Sequence, residues 1–344
     1  MLDTLDLRYN LTKEQRNGIF SSVNENVKEM GQSNYLYCHV DTNRFKRYRT
    51  AAFYSMGILE VAVEDYWYPY HCGSSLCIKY KPALNMYKDK YALSREEDIL
   101  KAAYVFKRLI DMINDKLCSG SLLDNNFLDW HVQRVDYAFN FPTQYYSEYM
   151  NLFRKRCREK EDRYRTESIS YQKTKYHVNF YDKSVAFGED SDSIHILRFE
   201  VQCYEDMLYS WKSRRKIRNL TVADIWDYSL AYNTVMKVLK RLSGTGDYYN
   251  YEQAAYLIMS DKKTSTVEKD MLCRLLDLSL SYRFADMWDV FLQTCCGQGD
   301  AEKVKKRLQK RLEKLNINGV IIPDDYQLSV LTNPVYVMDT MYGL

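Results

Sequence analysis

Three segments of the chain alternate apolar and polar residues with the two-residue period of a β-strand, and this alternation restricts the folds that the chain can adopt. The apolar faces read Val135, Tyr137, Phe139 and Phe141 in 131–141, Tyr176, Val178 and Phe180 in 176–187, and Leu197, Phe199, Val201 and Cys203 in 195–203. Because successive side chains of a strand point to opposite sides of a sheet, each segment offers one face to a hydrophobic core. The segments therefore predict neighbouring strands of one sheet.

The opposite faces of the same segments are polar. They carry Arg134, Asp136 and Asn140, then His177, Asn179, Tyr181 and Lys183, and then Arg198, Glu200 and Gln202. A sheet with one solvated face shows the same alternation, so that interpretation stays open. Solvated faces, however, are usually filled with interchangeable Thr, Lys, Glu and Ser. Carboxylates, an imidazole, a phenol and cations in this arrangement favour a functional face.

The other patterns predict an α+β fold. Strand-like alternation recurs near residues 4–11 and 75–82, and helical spacing of apolar residues covers 96–117 and 144–161. We expect a central, mostly antiparallel sheet with helices packed on one face in residues 1–218, followed by a helical region in residues 219–344. In that region Thr221 and Asp224 resemble a capping box. A helix that starts at Asp300 and ends at Asn318-Gly319 is predicted to have a basic face, typical of a duplex-DNA contact and equally of a plain surface helix.

Composition narrows the function classes. The formal net charge is only +3, but Lys and Arg cluster at 154–165, 212–218 and 303–314. Such clusters suit a nucleic-acid partner, although each one is also compatible with a solvated helix face. Nine cysteines without a CxxC pair and a start without a basic leader favour reduced thiols. No apolar run reaches the ~18 residues of a membrane span, so we expect a cytoplasmic protein without a membrane partner.

The polar faces suit phosphoryl transfer. Asp136 and Glu200, on adjacent predicted strands, supply the oxygen ligands that a hard ion such as Mg²⁺ or Mn²⁺ requires. The hydroxyl of Tyr181 is a candidate nucleophile for a phosphodiester. Lys183, on the same face, would favour the phenolate and stabilise the charge of the transition state.

These residues resemble the replication initiators of filamentous phages and related plasmids, the gene II/X family of rolling-circle nicking enzymes. The likeness covers roughly residues 1–210 and runs in order through "MLDTLDLRYNL", "SLCIKYKPALNMY", "QRVDYAFNF", "VNFYDKSV" and "LRFEVQC", with a weaker likeness at "LNINGVIIP". The resemblance implies a metal-dependent endonuclease and strand transferase with a fold like that of HUH endonucleases. It implies an enzyme that nicks one strand of an origin, keeps the 5′ phosphate on a tyrosine and leaves a 3′ hydroxyl as primer.

The resemblance also implies roles for residues and partners. Tyr181 maps to the nucleophile of the Tyr-x-Lys strand, and Asp136 and Glu200 map to candidate metal ligands. The expected partners are single-stranded or cruciform origin DNA with flanking duplex, a host helicase or polymerase, and a second copy in a homodimer. The candidate DNA-binding residues are Arg134, Asn179, Arg198, Arg214, Arg215, Lys305, Lys306 and Lys310.

The sequence departs from many such enzymes because it lacks a His-hydrophobic-His metal motif. His177, on the face of Tyr181, is the candidate single imidazole ligand, whereas His195 falls on the apolar face. Tyr204 and Tyr209 are competing nucleophiles. Alternative functions are a relaxase for conjugative transfer, a DNA-binding protein without catalysis, and a glycoside hydrolase that uses Asp136 and Glu200, which leaves Lys183 unexplained.

Overall fold

The computed structural model describes residues 1–19, 37–42, 45–49, 54–68, 71–87, 89, 91–115, 122–157, 168–184, 195–295 and 301–343. The strands are β1 (Leu2–Leu11), β2 (Tyr37–Thr42), β3 (Phe45–Arg49), β4 (Ile58–Tyr68), β5 (His71–Tyr80), β6 (His131–Thr143), β7 (Ser168–Gln172), β8 (Tyr176–Asp182), β9 (His195–Cys203), β10 (Asp247–Asn250), β11 (Ile317–Ile322) and β12 (Val330–Leu331). The helices are α1 (Pro82–Tyr87), α2 (Ile99–Asn114), α3 (Tyr146–Arg156), α4 (Glu205–Arg215), α5 (Val222–Ile225), α6 (Tyr228–Ser243), α7 (Tyr251–Ser260), α8 (Thr266–Ser281), α9 (Phe284–Cys295), α10 (Ala301–Lys314) and α11 (Pro334–Tyr342). Residues 13–19 are also helical.

The α+β class and the large, mostly antiparallel sheet are confirmed. Nine strands form one sheet in the order β2-β3-β4-β5-β1-β6-β9-β8-β7. β1 pairs antiparallel with both β5 and β6. β8 and β9 also run antiparallel, since the amide of Tyr204 donates to Lys175 and the amide of Lys183 donates to Ile196. The three strands predicted from alternation are thus neighbours in one sheet.

The described part of the chain divides into two compact units that are discontinuous in sequence. Unit 1 comprises 1–138, 173–177 and 200–231, and unit 2 comprises 139–172, 178–199 and 232–344. The strands β6, β8 and β9 each contribute residues to both units. The division at residue 218 that the sequence suggests remains a prediction. The described helices include none with the length and apolarity that a membrane crossing requires.

The core of unit 1 is built on the apolar side chains that the alternation predicts. Tyr137 is 1% exposed and its ring lies 6.3 Å from that of Trp211 in α4. Phe106 of α2 packs edge-on against Trp130, with ring centroids 4.8 Å apart. Burial of such large rings supplies most of the driving force that holds α2 and α4 against the sheet.

The core of unit 2 centres on Phe153 of α3. Its ring lies 5.0 Å from Phe180 of β8 and 6.1 Å from Phe199 of β9. Phe141 of β6 contacts Tyr149 of the same helix edge-on at 5.2 Å. The apolar faces of β6, β8 and β9 therefore lie against a helix, as the sequence predicts.

The C-terminal region differs from the predicted all-helical arrangement because it contains a second sheet, in the order β11-β10-β12. β10 pairs parallel with β11 and antiparallel with β12. The predicted basic helix is present as α10 but ends at Lys314, because Asn316 adopts a left-handed conformation with φ 57° and the chain continues as β11. The capping box is confirmed, since Asp224 accepts from the backbone amide of Thr221 at 2.9 Å.

Candidate functional site

A buried ion pair occupies the polar face of β6 in unit 1. Arg134 donates from Nε to one oxygen of Asp136 at 2.7 Å and from a terminal nitrogen to the other at 2.6 Å. The two residues lie two positions apart on the same strand, so their side chains share a face. Asp136 is only 2% exposed. A bidentate, charge-assisted pair of this kind is the strong form of hydrogen bonding, and it fixes the orientation of both side chains.

Asp6 is a third member of this cluster, and sequence analysis missed it. Asp6 of β1 is paired in register with Arg134 of β6, and their side chains approach to 3.8 Å. Burial raises the pKa of Asp6, and the field of Arg134 opposes that rise. Only the register of β1 against β6 reveals this contact, since the residues are far apart in sequence. Arg134 therefore lies between two carboxylates.

Glu200 of β9 is the second predicted metal ligand and is 6% exposed. Gln202 donates from Nε2 to Glu200 at 2.6 Å and accepts from the hydroxyl of Tyr204 at 3.0 Å. These alternate residues form a chain of hydrogen bonds along one face of the strand. The guanidinium of Arg134 lies over the ring of Tyr204, 5.6 Å from its centroid. Gln202 thus links a candidate ligand to a competing nucleophile.

The charges of this cluster act on one another. Burial raises the pKa of Asp136 well above its ordinary value, the hydrogen bonds from Arg134 oppose the rise, and the charge of Glu200 adds to it. Burial also raises the pKa of Tyr204. A raised pKa keeps a phenol protonated, so this environment works against Tyr204 as a nucleophile.

The carboxylates of Asp136 and Glu200 fit a hard divalent ion by donor chemistry. Glu200 raises the pKa of Asp136, and a cation shared by both would relieve that repulsion. A carboxylate offers about four lone-pair sites, so the pair with Arg134 leaves acceptor capacity on Asp136. Among the described residues, no group of three or more His, Cys, Asp or Glu side chains is placed to hold a metal. Two carboxylates completed by substrate phosphate and water are nevertheless the usual protein contribution to a magnesium site.

The predicted nucleophile and its lysine meet in unit 2. The ammonium of Lys183 donates to the hydroxyl oxygen of Tyr181 at 3.3 Å. Lys183 directly follows β8 and is 6% exposed, whereas Tyr181 is half-buried. A cation that donates to a phenol oxygen stabilises the phenolate relative to the phenol. The two residues that the sequence placed on one face are therefore in contact.

Arg198 of β9 also lies in unit 2 and is fully buried, at 0% exposure. It donates from Nε to the side-chain oxygen of Asn140 in β6 at 2.7 Å. The backbone of Lys183 pairs with that of Ile196. Because β8 and β9 are antiparallel, the same register places Arg198 opposite Tyr181. Asn179, also predicted to bind DNA, is half-buried and two residues from Tyr181 on the same face.

The two candidate histidines have different environments. His177 is half-buried in the part of β8 that belongs to unit 1, and its role as a ligand remains a prediction. His195 pairs through Nδ1 with the buried carboxylate of Asp182, and its ring lies 4.1 Å from that of Tyr146. Asp182 alternates with Tyr181 along β8, which places the pair with His195 on the apolar side, where the sequence put His195.

The remaining predicted DNA-binding cations, apart from Arg134 and Arg198, lie on two helices. Arg214 and Arg215 end α4 and are exposed, and Arg215 donates to the carbonyl of Asp224 at 2.7 Å. On α10, Lys306 and Lys310 are exposed, whereas Lys305 lies over the ring of Trp288, 5.7 Å from its centroid. Tyr209, the remaining competing tyrosine, is 69% exposed on α4.

Comparisons with known proteins give a structural likeness but no match by sequence. No protein-family model matches the chain, and no curated protein matches it by sequence. A solved structure of a rolling circle replication initiator protein from Geobacillus stearothermophilus resembles it with 15% identity and a TM-score of 0.35, over 70% of this chain and 84% of that one.

Proposed function

We propose that this protein is a rolling-circle replication initiator that nicks one strand of an origin. The hydroxyl oxygen of Tyr181 attacks the phosphorus of a phosphodiester, and the bond from phosphorus to the 3′ oxygen breaks. The leaving 3′ oxygen takes up a proton, and the proton of the phenol passes to water. The products are a 5′ phosphate held on Tyr181 and a free 3′ hydroxyl, from which a host polymerase, with a helicase, extends the strand.

The observation that carries the proposal is the contact between Lys183 and Tyr181. A tyrosine is a weak nucleophile while it is protonated, and a lysine that donates to its oxygen favours the reactive form. The same ammonium, held in a buried position, is suited to stabilise the negative charge that develops on the phosphoryl oxygens. An ordinary solvated strand face has no need for a buried lysine beside a phenol.

In this proposal Asp136 and Glu200 hold Mg²⁺ or Mn²⁺. A bound ion would supply a positive charge for the phosphoryl oxygens. Arg134 fixes the carboxylate of Asp136 in one orientation, and Gln202 does the same for Glu200. His177 is not proposed as a third ligand, since the described residues include no three His, Cys, Asp or Glu side chains placed around one ion, and substrate phosphate and water would complete the coordination. Arg134, Asn179, Arg214 and Arg215 are proposed to contact the DNA strand. The fully buried Arg198, predicted from the sequence to bind DNA, is instead proposed to hold Asn140 through its hydrogen bond.

The test is a search for a covalent protein–DNA adduct. The protein is incubated with Mn²⁺ and a single-stranded or supercoiled origin library, and adducts are separated on a denaturing gel. We expect an adduct with the wild type, none with Tyr181→Phe, and none after removal of the metal with EDTA. Tyr209→Phe is the matched control, because it removes one hydroxyl from an exposed tyrosine and should leave the adduct intact.

The other outcomes separate the competing functions. An adduct that survives Tyr181→Phe and disappears in Tyr204→Phe would keep the chemistry and reassign the nucleophile. The absence of an adduct from every origin, with binding retained, would support a DNA-binding protein without catalysis. A nick site that lies in a transfer origin would identify a relaxase.

A further inference from the structure

The helix α10 carries seven of the cations of unit 2, and they lie on different sides of the helix. Two arginines are used internally: Arg307 contacts Glu268 of α8 at 3.1 Å, and Arg311 lies 3.6 Å from Asp261 and 3.7 Å from Glu268. Lys305 lies over Trp288 of α9. These three side chains therefore help to attach α10 to its neighbours.

The other four cations of α10 form one row on its outer side. Lys303, Lys306, Lys310 and Lys314 are all exposed, and their spacing of three, four and four residues places them on one helical face. The buried Leu308 and Leu312 lie on the opposite face. At a rise of about 1.5 Å per residue the row is about 16 Å long, enough to meet several successive phosphates.

A turn beside α10 extends the row. Lys262 and Lys263 are exposed and directly follow Asp261, the residue that contacts Arg311. The acidic residues of α10 itself are Glu302, four residues before Lys306, and Glu313, three residues after Lys310, so both flank the row on one side. The lysine row, defined as Lys303, Lys306, Lys310 and Lys314 with Lys262 and Lys263, thus has six cations against two flanking carboxylates and a net positive charge.

We propose that the lysine row binds the backbone of duplex DNA without reading its sequence. Proteins that bind single strands combine cations with aromatic rings on which bases stack. Neither α10 nor the turn of residues 261–265 contains an aromatic residue, so the lysine row suits a partner whose bases are already stacked and whose phosphates form a continuous line. The inference deepens the proposed function and rests on it, since an origin flanks the nicked strand with duplex.

The test measures the salt dependence of binding to a fluorescent duplex of arbitrary sequence and to an oligo(dT) strand of equal length. Each lysine that contacts a phosphate contributes about 0.9 to the slope of log K against log [salt] on duplex DNA. We expect Lys306→Gln to lower the slope by about 0.9, and the quadruple Gln variant of α10 to lower it by about 3 to 4. Lys262→Gln with Lys263→Gln should lower it by up to about 2.

Lys305→Gln is the matched control, because it removes the same charge from the adjacent position of the same helix and should leave the slope unchanged. Equal effects of Lys305→Gln and Lys306→Gln, or an unchanged slope in the quadruple variant, would overturn the inference. So would a loss of oligo(dT) binding as large as the loss of duplex binding. Circular dichroism verifies the fold of each variant, and the exposed Lys306 gives a single substitution that does not depend on the quadruple variant folding.

The adduct assay distinguishes this failure from failure of the proposed function. On a short single-stranded substrate the lysine-row variants should form the Tyr181 adduct at the wild-type rate. If the adduct forms but substitutions in the lysine row do not change duplex binding, only the inference about the lysine row is refuted. Duplex binding through the lysine row with no adduct from any origin refutes the nicking activity alone.

Discussion

Replacement of Arg134 by Gln tests whether the cluster on β6 is held together by charge. The substitution removes both hydrogen bonds to Asp136, a carboxylate that is 2% exposed. Loss of one partner from a buried ion pair costs about 3–5 kcal/mol, because it leaves a buried charge without compensation. The amide group of Gln can still donate, and the side chain of Arg134 is 19% exposed. We therefore expect the free energy of unfolding to fall by an amount at the lower end of this range, about 3 kcal/mol.

The loss should depend on pH. Burial raises the pKa of Asp136 well above its ordinary value, and removal of Arg134 takes away the main influence that lowers it. When the pKa of a carboxyl is higher in the folded state than in the unfolded state, the carboxyl stabilises the protein at a pH below its unfolded-state pKa. This stabilisation is lost as the pH rises through its folded-state pKa. The variant should therefore lose less stability at pH 5, where Asp136 takes up a proton more readily, than at pH 8.

Urea denaturation followed by circular dichroism gives the free energy of unfolding for the wild type, Arg134→Gln, Asp136→Asn and the double variant. We expect the effects of the two substitutions to be non-additive by more than about 1 kcal/mol at pH 8. Arg214→Gln, an exposed arginine, is the control and should change stability by less than about 0.5 kcal/mol. Additive effects, or the same loss for Arg134→Gln at both pH values, would refute the reasoning.

Three further predictions concern Lys183, the core and a turn. Lys183→Gln should slow adduct formation by about 10²–10³-fold in a quenched time course, because one donor to the developing charge is lost; a rate within twofold of wild type would contradict this. Phe153→Ala should lower the free energy of unfolding by about 3–5 kcal/mol in urea, since the ring is 1% exposed. A loss below about 1 kcal/mol would contradict this, because it would mean that neighbouring side chains fill the cavity. Gly246→Ala should cost more than about 1 kcal/mol in the same assay, because φ is +83° and a Cβ would lie 2.5 Å from the carbonyl carbon of Ile317; an unchanged midpoint would argue against this backbone conformation.

The sequence predicts the elements whose pattern is long and regular. Alternation identifies β6 and β9 with nearly their observed ends, and helical spacing identifies α2 from Ile99, although Leu117 lies outside the described residues. The predicted helix over 144–161 is observed as Tyr146–Arg156, and 158–161 likewise lie outside them. Patterns of this kind repeat over several turns or residue pairs, so the signal accumulates.

The parts that the sequence does not predict depend on contacts between distant segments. β10 and β12 have four and two residues, too few for alternation to be visible. β10 forms because it pairs with the fully buried β11, and β12 forms because it pairs with β10. Asp6 belongs to the candidate site because the register of β1 against β6 places it opposite Arg134, and Gln202 belongs to it because its side chain donates to Glu200. No local sequence pattern predicts either contact. The contact of Lys183 with Tyr181 was predictable because both residues belong to one short segment.

The discontinuous composition of unit 2 limits how this protein can be divided or recombined. Tyr149 donates its hydroxyl to the carbonyl of Thr332 at 2.8 Å, and the hydroxyl of Tyr342 donates to the carbonyl of Asn140 at 3.0 Å. A fragment that stopped at residue 218 would keep Tyr181 and Lys183 but lose every one of these C-terminal partners. The C-terminal third is therefore not a separable module, and an exchange of this third between related chains would have to replace both sides of these contacts together.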